Sequence, residues 1–230
     1  MSLTPDEWTA VRLSLWVASI ATLASLPFGI AAAYALARGR FPGRALLDGL
    51  IHLPLVLPPV VTGYLLLLLF GRRGPLGAAL ESCCGIVFSF RWTGAALAAA
   101  VMAFPLMVRA IRLSIEAVDR GLEQAAGTLG ANRLLVFFTI TLPLALPGIV
   151  AGMILAFAKA LGEFGATITF VSAIPGVTQT LPAAIYGYTQ VPGGDAGAFR
   201  LSLVAVAIAL IAVIASEILT RRIAGAARIP

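Results

Sequence analysis

The sequence predicts an all-α fold, a polytopic bundle of membrane helices with five spans, six possible, and three observations carry that prediction. Of 230 residues, 60% are hydrophobic and only 11% charged, against roughly 25% charged in a soluble domain. With a mean hydropathy of +1.00, such a chain has too little polar surface to cover a globule in water. Five apolar segments reach or approach the ~20 residues that cross the hydrocarbon core. The arginines fall in the short gaps between these segments. The expected organisation is one membrane domain over 1–230.

The spans are expected at 13–37, 46–70, 93–108, 134–161 and 201–219. The acidic start, with Asp6 and Glu7, does not read as a signal peptide, which opens basic. Pro54, Pro58 and Pro59 interrupt the second span, and Pro143 and Pro147 the fourth, each removing a donor and bending the helix. The third span is short, with Arg109 and Arg112 expected to snorkel at its end. Cys83 and Cys84 are adjacent and expected in a loop as two small apolar residues, with a strained vicinal disulfide as the alternative. His52 is the only histidine, so no Cys/His set has metal-ligand spacing. The uncharged stretch 164–194 is broken by Pro175, Pro182, Pro192 and several glycines. It reads as re-entrant or interfacial half-helices, because irregular backbone at membrane depth must be buried in protein or line a wet cavity.

Orientation follows the arginines, which make up 15 of the 16 basic residues; Lys159 is the other. With the loop near Glu123 inside, Arg38, Arg40, Arg44, Arg109, Arg112, Arg120, Arg133, Arg221, Arg222 and Arg228 are cytoplasmic. Arg12, Arg72, Arg73, Arg91 and Arg200 are outside. Ten against five favours the N-terminus outside and the C-terminus inside. This placement explains the +6 charge better than nucleic-acid binding does.

Between the third and fourth spans, Ile115, Val118, Leu122, Ala125, Ala126 and Leu129 recur at helical spacing, with Glu116, Asp119, Arg120 and Glu123 largely between them. This predicts a short amphipathic helix with one greasy face inside a loop at about 113–133. Gly130, Ala131 and Asn132 read as its stop and turn. A helix of this shape suits a groove on another protein.

The loop resembles the signature of the permease subunits of binding-protein-dependent ABC importers: Glu-Ala-Ala, three residues, Gly, nine residues, Ile, one residue, Leu-Pro. Here Gln124, Ala125, Ala126, Gly130, Ile140, Leu142 and Pro143 keep every spacing, with Gln124 in the acidic position and Glu123 just before it. The segment from His52 to Tyr64, the Gly162-Glu163-Phe164-Gly165 element running on to Ser172, and the opening Leu3 to Trp8 are similar to molybdate permeases within that family. Sulfate and tungstate permeases share the Gly-Glu-Phe-Gly element. The resemblance implies a type I importer permease in a bacterial inner membrane, a homodimer, two ATP-binding subunits docked on the Glu123 loop, and a periplasmic or extracellular molybdate-binding protein. It implies no nucleic-acid partner and no cofactor on this chain, with ATP used by the partner ATPase. The chain has no G-x-x-x-x-G-K-[ST] phosphate loop of its own, so it is expected to be non-catalytic.

The expected cargo is a tetrahedral dianion, whose transfer through hydrocarbon is prohibitive. Hydroxyl and amide donors suit it. The candidates for a path or gate are Thr62, Tyr64, Thr167, Thr169, Ser172, Thr178 and Thr180, with backbone amides near Gly162 and Gly165. An alternative use for each hydroxyl is a bond to its own helix backbone. Glu163 would repel the anion; Lys159 four residues earlier predicts an ion pair that is structural or gating. Glu217 and Arg221 repeat that spacing as a solvated pair. Arg72, Arg73 and Arg91 could attract the anion, meet the binding protein or contact lipid headgroups.

Overall fold

The computed structural model describes residues 3–226; side chains at 216, 217 and 219–226, and with them the expected Glu217–Arg221 pair, lie outside the described residues, as does Arg228. Its described elements are helical. Four stretches are long and apolar enough to cross a membrane: α1 (Pro5–Arg38), α5 (Trp92–Ala117), the run Arg133–Leu161, and Asp195–Ala215 within α11 (Asp195–Ala226). A fifth is counted if α2 (Arg44–Val56) and α3 (Pro59–Phe70) form one span.

α5 is the central helix. Its alanine-rich face, with Ala95, Ala98, Ala99 and Ala103, is buried against α1 and against α8 (Leu142–Leu161). Lipid tails are as apolar as leucine, so helices associate in a bilayer through close packing of small residues. Gly148 and Gly152 supply it from α8. A Cβ on Gly148 would strike the Ser114 side chain, and one on Gly152 would lie 3.1 Å from Ile111 Cγ1. Gly148→Leu is expected to lower stability by about 1–3 kcal/mol through overpacking, read as a lower unfolding temperature in detergent, with Gly148→Ala intermediate.

Three sequence expectations need correction. The second span is not one kinked helix: α2 and α3 meet at 116°. Pro58 and Pro59 deny the backbone two consecutive donors, so the chain leaves the helix at Leu57 and restarts. The third span is longer than 93–108, because α5 stays helical to Ala117. At its C-terminal end Arg112 is paired: its Nη1 lies 3.1 Å from Asp48 of α2 and its Nε 2.9 Å from Glu116. Cys83 and Cys84 form the last turn of a helix, α4 (Pro75–Cys84), which Gly85 ends at φ +66°. Both thiols are free and exposed, 2.6 Å apart. Hydrogen bonding to Cys83 holds the Cys84 thiol above its ordinary range.

The stretch 164–194 does form short pieces, α9 (Gly165–Val171) and α10 (Leu181–Thr189), neither long enough to cross. Leu181 N donates to Ser14 Oγ of α1 at 2.6 Å, and Arg200 of α11 pairs with the buried Glu7 of α1 at 2.7 Å. The N-terminal ends of α1 and α11 therefore sit together, and the C-terminal ends of α1 and α5 meet at the opposite end, beside the loop that carries Glu123.

Candidate functional site

α5 closes at Val118, and Asp119 caps the next helix by accepting from Gly121 N at 2.8 Å. That helix, α6 (Arg120–Thr128), carries no buried residue. The expected greasy face is corrected here: Ile115 and Val118 are buried but belong to the end of α5. Leu122, Gln124 and Ala125 are exposed, and Leu129, just past the helix, is 89% exposed. Gly130 ends the turn at φ +88°, with open space where a Cβ would stand. Ala131 N donates back to Ala126 O at 3.1 Å, the long bond of a glycine-terminated helix. The exposed small and apolar side chains thus form a projecting knob.

Asn132 caps α7 (Arg133–Val136) by accepting from Leu135 N at 2.8 Å. A π turn follows over Phe137–Thr141, where Leu142 N bonds Phe137 O instead of Phe138 O. Pro143 is the physical reason. It offers no N–H to the carbonyl of Thr139 and crowds it, so the helix widens by one residue. Ile140 and Leu142 are half-buried and Pro143 is exposed. The Leu-Pro end of the motif therefore shapes the entry to α8.

On α6, the Glu123 carboxylate turns inward. It lies 3.0 Å from Arg38 Nε and accepts from Thr141 Oγ1 at 2.7 Å, and Arg38 Nη2 donates to Val118 O at 2.9 Å. No local pattern in the sequence marks Arg38 or Thr141 as partners of Glu123. Arg38 shows there only as one of the ten arginines that set the orientation.

The second cluster lies where α3 packs on α9. A Cβ on Gly63 would lie 2.5 Å from Ala166 O, and one on Gly165 would lie 2.7 Å from Pro59 Cβ. Gly165 is thus a packing residue at this crossing. Gly162, exposed at the end of α8, spends its amide on Ala158 O at 3.3 Å. Of the hydroxyl candidates, Thr167 donates to Phe164 O, Thr169 to Gly165 O and Thr178 to Ser172 O, each within 3.0 Å. Their protons are committed to nearby backbone. Thr62 and Thr180 are buried with no hydrogen-bond partner, and Tyr64 is exposed. Ser172 ends α9 in the left-handed region at φ +62°. The structure gathers Thr62, Tyr64, Gly165, Thr167 and Thr169 around one helix crossing, with Glu163 at its edge and Ser172 and Thr180 beyond it.

Glu163 is 2% exposed, pairs with Lys159 at 2.6 Å and accepts from Ala166 N at 3.0 Å. The pair therefore ties the end of α8 to the start of α9. Lys159→Met would leave a buried carboxylate without its cation. Breaking a fully buried pair costs about 3–5 kcal/mol. Because Lys159 is about a third exposed, a loss of about 1–3 kcal/mol is expected, and Lys159→Met/Glu163→Gln should recover part of it in thermal unfolding. A separate groove of about 480 Å³ between α1, α2 and α5 is lined by Phe28, Leu50, Pro54 and Phe104. Its one hydroxyl, Ser25, is bonded to Ala21 O, so it offers an anion nothing.

Residues 25–225 match the family described as the binding-protein-dependent transport system inner membrane component. The chain belongs to this family. Relatives of this permease include the molybdenum transport system permease protein ModB of Escherichia coli K12, 63% identical over 96% of both chains. ModB of Haemophilus influenzae is 56% identical over 94% of both. Among solved structures, a bacterial ABC transporter that imports alginate superposes with a TM-score of 0.74. The alignment has 17% identity and covers 96% of this chain and 80% of that one. At that identity the likeness is one of fold, and the described helices share it.

Proposed function

We propose that this chain is the permease subunit of an ATP-driven molybdate importer. The cargo follows from the similarity to ModB, which spans 96% of both chains. The coupling role is carried by one observation: α6 projects with no buried residue beside the meeting point of α1, α5 and the π turn. In this reading Gln124, Ala125, Ala126, Leu129 and Gly130 form the knob that two separate ATPase subunits receive, one on each copy of a homodimer. The chain itself hydrolyses nothing. A helix in a groove transmits a rigid-body motion, and the α3–α9 crossing is the part of the bundle that would open and close. The excess of arginines on the α6 side supports a cytoplasmic coupling loop and an external N-terminus, where a molybdate-binding protein delivers the anion.

A dianion passes only if donors or water replace its hydration. Thr62, buried beside the crossing with an uncommitted hydroxyl, is the donor best placed for that. Glu163 does not oppose the anion, since its charge is balanced by Lys159. The test is labelled molybdate uptake by cells lacking their own permease and supplied with this chain, its ATPase and its binding protein. Uptake that persists in excess sulfate supports the reading. Uptake erased by sulfate replaces it with a sulfate importer.

A further inference from the structure

We propose that Arg38 is the positioning residue of the coupling loop: with Glu123 and Thr141 it forms a clamp that makes α6 move with the ends of α1 and α8. This inference rests on the importer reading above.

The acid stands one residue before the motif's acidic position, and one residue turns a helix by about 100°. That offset takes the carboxylate off the projecting knob and aims it at the membrane helices. Arg38 and Glu123 side chains are 10% and 18% exposed, and Thr141 is 1% exposed. Four polar contacts meet at this point. Glu123 holds Arg38 Nε at 3.0 Å and Thr141 Oγ1 at 2.7 Å. Arg38 Nη2 holds the Val118 carbonyl at 2.9 Å, and Arg38 Nε lies 3.2 Å from the second Glu123 oxygen.

Each partner is the loose end of an element. Arg38 is the last residue of α1, where a cation suits the helix C-terminus. Val118 ends α5 and would otherwise carry a free carbonyl. Thr141 ends the π turn and lies next to the start of α8. Charge-assisted, fork-shaped contacts of this kind fix geometry as well as adding energy. Since no residue of α6 is buried, the clamp is what lets a push on α6 reach α1 and α8 together. Glu123 then acts within this chain and leaves contact with the ATPase to the knob.

The test uses the full complex, this chain with its ATPase and binding protein, in proteoliposomes. Molybdate moved per ATP hydrolysed is measured, together with the amount of ATPase that co-purifies. Arg38→Gln and Glu123→Gln are each expected to lower the ratio about tenfold, within the 5- to 150-fold range of site-to-site coupling, while the ATPase stays bound. Arg38→Lys should lose less. The swap Arg38→Glu/Glu123→Arg re-forms the ion pair but not the bond to the Val118 carbonyl, so it should restore part of the ratio. The clamp is overturned if the ratio is unchanged in both single variants, if the swap restores nothing, or if Glu123→Gln sheds the ATPase while Arg38→Gln keeps it. If wild-type complex hydrolyses ATP but moves no molybdate, the cargo reading fails. The clamp is then judged by the same ratio for whichever anion stimulates hydrolysis.

Discussion

Molybdate uptake is expected to fall at least about a hundredfold in the Gly130→Arg variant. Two effects add. Gly130 sits at φ +88°, where any side chain costs about 1–2 kcal/mol. The second effect is larger. The space around Gly130 is open, so the arginine reaches outward from the knob into whatever surface receives it. An unpaired charge pressed into a closed interface costs about 3–5 kcal/mol, and each 1.4 kcal/mol is tenfold in binding. Gly130→Ala separates the two effects. It keeps the backbone cost and removes the intrusion, so its uptake should fall only mildly, and Gly130→Asn, which tolerates the left-handed region, should fall less still. Full uptake in Gly130→Arg would remove the knob from the coupling mechanism.

The second large effect is expected from Gly63→Leu. A Cβ there meets Ala166 O at 2.5 Å, Ala166 Cα at 2.9 Å and Thr169 Cβ at 2.9 Å. Two of these atoms are backbone and cannot rotate away, so α3 has to move off α9. Overpacking of this kind costs about 1–3 kcal/mol, and here it falls on the crossing assigned to opening and closing. Uptake should drop at least about tenfold, and the unfolding temperature should fall. The ATPase should still co-purify, because α6 lies on a different part of the chain. Gly63→Ala should act in the same direction with a smaller effect. Wild-type uptake in Gly63→Leu would show that close approach of α3 and α9 is not required for passage.

Much of this architecture is legible in the sequence because membrane insertion depends on local composition. The long apolar runs appear as α1, α5, the 134–161 helix and α11, and the prolines and glycines of 164–194 divide that stretch into α9 and α10. What the sequence does not reveal is set by packing at a distance. A proline run shows that a helix breaks but not that α2 and α3 meet at 116°. Helical spacing carries the apolar stripe through Ile115 and Val118, yet Asp119 caps a new helix and splits the stripe between α5 and α6. The Lys159–Glu163 pair is readable from its spacing of four. The Arg38–Glu123 pair joins residues 85 positions apart, and no local pattern announces it. The Gly148–Gly152 spacing is itself legible as a small-residue packing motif. Hydroxyls are the least readable. Thr62 and Thr169 look alike in sequence, and only the fold shows that one is uncommitted while the other is bonded to Gly165 O.

The central claim is that ATP hydrolysis by a partner drives molybdate through this chain by way of α6. It is tested most directly by reconstituting the chain with its ATPase and molybdate-loaded binding protein in liposomes, with ATP on the α6 side. The account predicts molybdate accumulation that requires ATP, survives a large excess of sulfate and is lost in Gly130→Arg. Accumulation without ATP, or accumulation that Gly130→Arg leaves intact, would contradict it.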